Sequence, residues 1–253
     1  MNTELKNKEV QFIAQDPFRL IELGLLTIKT KMTGLIKLIP NSVQRKLIAK
    51  IKEVFYADKP LRMIILKARQ TGISTIIEAI IYAFTSRMKG VNACVVADDL
   101  HGSNYLFEMQ KLFHEELPKH LRPSIKHSNE KKLAFQGLNS QILIDTAENP
   151  NVGRKYTFHF IHGTEVARWR ISLEDTLVGL GHSVPSEKGT MIILETTAKG
   201  YGEFYNLWLK AMSGETDWIP FFIGWWELPE YSRPLSNLGL YPIDGIKFQT
   251  PIE

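Results

Sequence analysis

The sequence predicts an α/β fold in which a mostly parallel central sheet is flanked by helices. Apolar runs of strand length alternate with longer segments in which apolar residues recur at helical spacing. Such alternation is typical of strand–helix–strand units with right-handed crossovers, which build parallel sheets. A length of 253 residues suffices for one sizeable core of this kind with a helical attachment.

Composition and charge are those of a soluble globular protein, with 44% hydrophobic and 23% charged residues. No run of 18 or more apolar residues is present, and the polar first residues lack the apolar core of a secretion signal. The single cysteine, Cys94, excludes an intramolecular disulfide and is predicted to be a core residue rather than a catalytic thiol. A net charge of +4 is compatible with a polyanionic partner without requiring one.

In the first half of the chain, helices are predicted to enclose two buried strands. The expected elements are a helical segment over 16–39, an amphipathic helix over 41–57 with Asn41 or Ser42 at its N-cap, a strand over 62–66, a helix over 74–88, a strand over 92–98 and a helix over 102–117.

In the second half, two alternating runs around QGLNS predict a hairpin over 131–147. Further strands are expected over 156–162, 189–196 and 218–226, with helices over 171–184 and 202–212. Turn formers prevail after Pro229, which indicates a linker.

The segment KARQTGIST, residues 67–75, joins a predicted strand to a predicted helix, as a phosphate-binding loop does. In such loops backbone N–H groups bind phosphate, a lysine neutralises charge, and a Ser or Thr hydroxyl binds Mg²⁺. Aligning Ser74 with that hydroxyl puts Ile73 in the usual lysine position and Lys67 at the start of the loop. Lys67 or Arg69 is therefore the candidate phosphate cation. Because the motif is degenerate, a strand–turn–helix that binds no phosphate, with solvated Lys67 and Arg69, is an alternative interpretation of this segment.

A carboxylate follows a second predicted strand. The segment FHFIHGTEVARW, residues 158–169, turns at Gly163 and places Glu165 just past the strand. A hydrolytic nucleotide site needs such a group to orient water. Thr164 stands where an aspartate usually precedes it, and a threonine hydroxyl can hold a metal-bound water but brings no charge. A glutamate at an exposed helix start is an equally supported explanation of Glu165.

A third predicted strand ends in Thr196, Thr197 and Ala198, followed by two glycines. Small hydroxyl residues at a strand end beside a nucleotide can respond to a γ-phosphate, although a glycine-rich turn explains them too. His159 and His162 are expected to be packed or capped locally, because no Cys/His cluster accompanies them.

Four segments together resemble the ATPase domain of the large terminase subunit, the DNA-packaging motor of tailed bacteriophages. They are LIPNSVQRKL, KARQTGIST, FIHGTEVARW and ETTAKGYGEFYNLW, in the family's order over roughly residues 38–231. The resemblance implies an additional-strand (ASCE, RecA-like) P-loop NTPase fold with a helical N-terminal segment. Some members of this family have their loop lysine at the first position, which favours Lys67.

Residue roles follow by position from this resemblance. Gln44 matches the glutamine that recognises adenine, Ser74 the Mg²⁺ ligand, with Thr164 contributing through water, and Glu165 the catalytic carboxylate. The implied nucleotide-binding loop comprises Lys67, Ala68, Arg69, Gln70, Thr71, Gly72, Ile73, Ser74 and Thr75. Thr196, Thr197 and Ala198 match the motif that couples hydrolysis to movement. Arg154 lies about where the family has an arginine finger that reaches a neighbouring subunit's ATP, with Arg168 and Arg170 also close in sequence.

The resemblance further implies ATP and Mg²⁺ as cofactors, and double-stranded DNA, a portal protein and a small terminase subunit as partners, with no membrane. In the motor the subunits form a ring, whereas an isolated domain can be a monomer, and the expected location is the host cytoplasm. We expect a helical segment over 1–40, an ATPase core over 41–231, and a linker over 232–253 toward a nuclease domain that nothing in this chain resembles. ATP hydrolysis without DNA cleavage is therefore expected.

Two other functions stay open. Ile73 and Thr164 are compatible with a nucleotide-binding scaffold without efficient turnover. Another P-loop helicase or translocase core is disfavoured by length, because a helicase needs a second RecA-like domain. DNA contact is weakly indicated by Lys126, Lys131 and Lys132 in a basic segment, where a solvated charged face is the simpler explanation.

Overall fold

The computed structural model describes residues 3–30, 34–129, 131–149 and 156–231. Over these residues it forms an eight-stranded sheet covered by helices on both faces and a separate two-stranded ribbon. The helices are α1 (Thr3–Gln15), α2 (Arg19–Glu22), α3 (Ser42–Tyr56), α4 (Ile73–Thr85), α5 (Leu100–Glu115), α6 (Leu173–Ser183) and α7 (Glu203–Met212). The strands are β1 (Thr27–Thr30), β2 (Gly34–Lys37), β3 (Leu61–Lys67), β4 (Asn92–Ala97), β5 (Ile125–Asn129), β6 (Lys132–Phe135), β7 (Ser140–Thr146), β8 (Phe160–Thr164), β9 (Met191–Thr196) and β10 (Ile219–Ile223).

The strand order of the large sheet is β10-β3-β9-β8-β4-β7-β6-β5. Pairing is parallel from β10 to β7, and β6 and β5 extend the sheet as an antiparallel hairpin. Strand β9 therefore lies between β3 and β8, although it follows both in sequence. This inserted strand confirms the predicted additional-strand, mostly parallel fold, and it brings the carboxyl ends of three strands side by side.

The central strands are apolar on both faces because helices cover both. Met63 and Ile65 of β3 pack in the larger core cluster with α3, α4 and α5, whereas Ile64 packs in a second cluster with α6 and α7. Cys94 belongs to this second cluster, where burial raises the pKa of its thiol to about 12. The prediction that Cys94 is a core residue is confirmed.

Most predicted elements are present with ends shifted by a few residues. Helix α3 is capped by Asn41, one of the two predicted candidates. The strand expected over 156–162 begins later and is β8, and the last strand ends at Ile223, before a 3₁₀ turn over Trp225–Glu227. Within the described residues, no helix has the length and apolar character needed to cross a membrane.

The helix predicted over 16–39 is wrong beyond Glu22. Strands β1 and β2 form an antiparallel ribbon there, with Thr27 paired to Lys37. The apolar spacing is helical, but Gly24 and Gly34 have φ of +63° and +76°, a conformation that interrupts a helix and favours glycine. Strand β5 was not predicted, because all its residues are exposed and no apolar alternation marks it. The linker predicted over 232–253 lies outside the described residues.

Candidate nucleotide-binding site

The loop between β3 and α4 has the backbone of an anion-binding turn. Gly72 has a left-handed φ of +74° and caps the N-terminus of α4, where no side chain accepts a hydrogen bond from the first helical turn. Its N–H groups are thus available to an anion, which the helix dipole also attracts. A side chain at Gly72 would be strained at this φ, and its Cβ would displace the Gln44 amide, whose Nε2 lies 2.5 Å from the Cβ position.

Gln44 braces this loop from α3. Its Nε2 donates to the carbonyl of Gly72 at 2.8 Å, and its Oε1 accepts from the backbone N–H of Asn41 at 2.9 Å in a capping box. The side chain of Asn41 in turn donates to the carbonyl of Thr71. In this structure both polar atoms of Gln44, the residue predicted to recognise adenine, are bonded to backbone groups and hold the start of α3 against the loop, a role that the sequence did not indicate.

Lys67 lies at the neck of the loop, as predicted, and its side chain is 7% exposed. The ammonium lies between two carboxylates, 3.1 Å from Oε1 of Glu165 and 3.0 Å from Oε2 of Glu195. Arg69, the other candidate cation, is exposed, and its carbonyl accepts a hydrogen bond from the hydroxyl of Tyr231. Of the two, Lys67 is the cation that the fold positions by fixed contacts.

Glu165 follows β8 directly and has a left-handed backbone, with φ of +50°. A non-glycine residue in this conformation is strained, and such strain is often found at functional sites. Oε2 of Glu165 accepts from the hydroxyl of Thr197 at 3.0 Å and lies 3.5 Å from Nε of Arg168. Partial burial alone would raise the pKa of this carboxyl, but the Lys67 ammonium and the hydrogen bonds from Lys67 and Thr197 outweigh it and lower the pKa. The group is therefore an ionised acceptor at neutral pH.

Glu195, in β9, is the site residue that sequence reasoning missed. Its side chain has no exposed surface, and its Oε1 accepts from Ser74 at 2.6 Å and from Thr164 at 2.5 Å. The hydroxyl of Thr164, the residue expected to hold a metal-bound water, donates its proton to this carboxylate. A glutamate directly after the apolar run MIIL was the available signal.

The end of β9 contacts the site through the predicted coupling residues. Thr197 donates to Glu165, and the hydroxyl of Thr196 accepts from the backbone N–H of Ala167 at 3.3 Å while donating to its neighbour's carbonyl. Ala198 lines a cavity of about 400 Å³ at the rim of the loop, together with Arg69, Asp98, Asp99, Arg168, Arg170 and Lys199. A conformational change at this strand end would therefore reach Glu165 directly.

A buried polar row lies behind the site. Nδ1 of His162 is 2.6 Å from Glu78, and Nε2 is 3.7 Å from Oε1 of Glu195, with all three side chains fully buried. The expectation that His162 is packed locally is confirmed, but its partner is a carboxylate. The backbone N–H of Asn92 donates to His159, and burial lowers the pKa of His159.

The arginine candidates differ in position. Arg168 contacts Glu165 within the same chain, whereas the side chain of Arg170 is 85% exposed and lies 3.8 Å from Glu148. Arg154 lies outside the described residues. The lysines considered for DNA contact lie in or beside β5 and β6, at the opposite edge of the sheet from β10, and Lys131 is 3.9 Å from Asp145.

The site has oxygen donors of the kind that Mg²⁺ prefers, namely the Ser74 hydroxyl and the Glu195 carboxylate. Over the described ranges there is no group of three or more His, Cys, Asp or Glu side chains that could hold a metal ion. A single carboxylate beside a hydroxyl fits Mg²⁺ that is bound together with substrate phosphates.

A strand–loop–helix anion site, a strand inserted between β3 and β8, and a carboxylate after β8 together define an additional-strand P-loop NTPase fold. Solved structures place this fold beside those of the large terminases of phages. The chain superposes on the large terminase of bacteriophage HK97 with a TM-score of 0.65 and 15% identity, covering 83% of this chain and 43% of that one. This chain thus spans less than half the length of the HK97 protein.

Two further solved structures have the same fold. The large terminase ATPase domain of Thermus phage P74-26 matches with a TM-score of 0.55 and 15% identity over 74% of this chain and 87% of that domain. The large terminase of a thermophilic bacteriophage, solved in complex with ADP, matches with a TM-score of 0.50 and 10% identity over 72% of this chain and 44% of that one. No protein-family model matches the sequence. At these identities the structures establish the fold, which is that of the predicted resemblance.

Proposed function

We propose that this chain binds ATP with Mg²⁺ and hydrolyses it as the motor ATPase of a viral large terminase, which drives double-stranded DNA into a procapsid. The observation that supports the proposal most directly is the convergence of Lys67 at the end of β3, Glu165 just after β8 and Ser74 at the start of α4, on either side of the inserted strand β9. In parallel sheets this edge is where ligands bind.

Each residue has a distinct task in the proposed reaction. The loop over 67–75 and Lys67 bind and neutralise the β- and γ-phosphates, and Gln44 recognises the adenine end. Ser74 would hold Mg²⁺, which would neutralise part of the charge on the phosphates. Glu165 accepts a hydrogen bond from the attacking water and orients it, because its carboxylate is ionised and held by Thr197.

Thr196, Thr197 and Ala198 connect this step to movement, because Thr197 contacts Glu165 and so responds when the γ-phosphate is lost. Arg154 is assigned as the arginine finger, which acts on the nucleotide of a neighbouring subunit in a ring. The partners in this setting are the portal protein, the small terminase subunit and duplex DNA, in the host cytoplasm.

The test is phosphate release by the purified chain with Mg²⁺–ATP, measured at increasing protein concentration with and without linear duplex DNA. We expect turnover that requires Mg²⁺, increases when subunits are concentrated, and is lost in Glu165→Gln. The exposed Glu174 at the start of α6 provides the matched control, Glu174→Gln, which should keep wild-type turnover. Nucleotide binding without phosphate release under all these conditions would instead establish a nucleotide-binding scaffold.

A further inference from the structure

A fully buried carboxylate lies at the centre of the site without an assigned role. Oε1 of Glu195 accepts the hydroxyl protons of Ser74 and Thr164, at 2.6 Å and 2.5 Å. Oε2 lies 3.0 Å from the Lys67 ammonium, and among the described residues it accepts no well-aligned hydrogen bond. A carboxylate with no exposed surface is expensive to bury unless it is paired, and this one keeps an oxygen that is only partly satisfied.

The strand register explains how Glu195 reaches this position. Thr164 of β8 and Glu195 of β9 are directly paired across two parallel strands. Neighbouring strands are about 4.8 Å apart, and a glutamate side chain is one methylene longer than an aspartate. A glutamate on β9 can therefore place its carboxylate beside the position that an aspartate at 164 would occupy.

The direction of the hydrogen bond from Ser74 to Glu195 determines which atoms of this site are available to a cation. Because the Ser74 hydroxyl donates its proton to Glu195, its oxygen lone pairs remain available to a cation. Thr164 is neutral and donates to the same oxygen, so it positions the carboxylate rather than replacing its charge. His162 and Glu78 close the site from behind, which keeps the Glu195 carboxylate facing Ser74 and Lys67.

We propose that Glu195 supplies, from the neighbouring strand, the acidic group that a divalent cation needs beside Ser74, in place of the aspartate that Thr164 replaces. This inference deepens the proposed function and depends on it, since the cation is the one bound with the nucleotide. In this site the acidic group is therefore on β9, and a threonine hydroxyl stands at the position on β8 where an aspartate is usual.

The test measures metal binding rather than turnover. Mn²⁺ binding in the presence of ADP is followed by electron paramagnetic resonance, and ADP binding in EDTA by calorimetry. For Glu195→Gln we expect Mn²⁺ affinity to fall about 10- to 100-fold, the range seen when groups that orient metal ligands are removed. ADP affinity in EDTA should be unchanged or higher, because Lys67 then has one carboxylate fewer to compete with the phosphates.

A second variant exchanges the two residue types. The double variant Thr164→Asp with Glu195→Gln returns the carboxylate to β8 and keeps the net charge beside Lys67, so it stays informative if the single variant fails to fold. Mn²⁺ affinity within about tenfold of wild type is expected. Glu174→Gln is the control, because it removes an exposed carboxylate at the start of α6, outside the site, and it should leave Mn²⁺ affinity within about twofold.

Three results would overturn the inference. In the first, Glu195→Gln weakens ADP binding equally with Mn²⁺ and with EDTA, which would make Glu195 only a positioning residue for Lys67. In the second, Glu174→Gln lowers Mn²⁺ affinity as much as Glu195→Gln does. In the third, the exchanged double variant binds Mn²⁺ no better than the single variant. Absence of ADP binding to the wild-type chain is a different outcome, which refutes the proposed function itself.

Discussion

Replacing Lys67 tests both the site and the stability of the fold, because the ammonium has two roles. It is the candidate phosphate cation, and it neutralises Glu165 and the fully buried Glu195. Lys67→Met keeps most of the side-chain volume and removes the charge. We expect this variant to lose ATP hydrolysis and also to be less stable than wild type, which distinguishes it from a purely catalytic substitution.

The magnitude follows from the burial of the pair. Removing one partner of a buried ion pair destabilises a protein by about 3–5 kcal/mol, because the other charge stays buried without compensation. Glu165 is partly exposed, so we expect the lower end, about 3 kcal/mol. A change of that size should lower Tm by roughly 6–12 °C in a chain of this length and leave it folded. Loss of hydrogen bonds to a charged group should weaken nucleotide binding by roughly tenfold to 150-fold.

A double variant separates the two roles. In Lys67→Met with Glu195→Gln, neither member of the buried pair keeps its charge, so most of the lost stability should return. Phosphate release should stay absent, because the cation is still missing. Arg69→Met is the matched control: Arg69 is exposed, so its stability should stay within about 0.5 kcal/mol of wild type. Urea unfolding and phosphate release are measured on all four proteins.

Two results would refute this reasoning. If Lys67→Met hydrolyses ATP at a rate close to wild type while Arg69→Met does not, the phosphate cation is Arg69. If Lys67→Met is as stable as wild type, the ammonium does not compensate the buried Glu195 carboxylate, and the reasoning from burial is wrong.

The remaining predictions concern catalysis, assembly and pH. Glu165→Gln should bind Mg²⁺–ATP but release phosphate more slowly by a factor of about 10² or more, since the amide cannot accept the water's proton; an unchanged rate in a stopped-flow assay would move the catalytic carboxylate elsewhere. Arg154→Ala subunits mixed with Glu165→Gln subunits should recover part of the activity that each lacks alone; no recovery, with specific activity independent of concentration, would exclude a finger acting between subunits. His114 packs in the core. Its pKa is lowered from 6.5 to about 4, mainly by burial, and the positive charges of Arg122 and Arg87 contribute. The unfolded chain thus binds a proton that the folded chain does not, and stability should fall as pH decreases from about 6.5 to 4. His114→Leu should flatten that pH dependence in urea unfolding, and an unaltered slope would assign it to other groups.

Local sequence patterns were sufficient for most of the fold. A strand that ends in Lys67, a turn that contains Gly72 and an apolar helix after it are each short-range features, since hydrophobic spacing and glycine conformation act over a few residues. For the same reason the positions of Ser74 at a helix start and Glu165 after a strand were predictable. The pattern misled where apolar residues over 25–36 had helical spacing but glycines turned the chain into the ribbon of β1 and β2.

Only the tertiary structure shows the strand order, and the position of Glu195, which the sequence analysis missed, depends on that order. The segment MIILET contains no local signal that β9 lies between β3 and β8, because the order of parallel strands depends on packing across the whole sheet. The sequence by itself determined that Lys67, Ser74 and Glu165 end or begin elements that can meet at one edge. The inserted strand places Glu195 between Lys67 and Thr164. The packing of α3 beside the loop places Gln44, which is 28 residues before Gly72 in the sequence, in hydrogen-bond contact with the Gly72 carbonyl. Contacts between elements that are distant in sequence depend on how strands and helices pack in three dimensions, and local sequence patterns do not specify that packing.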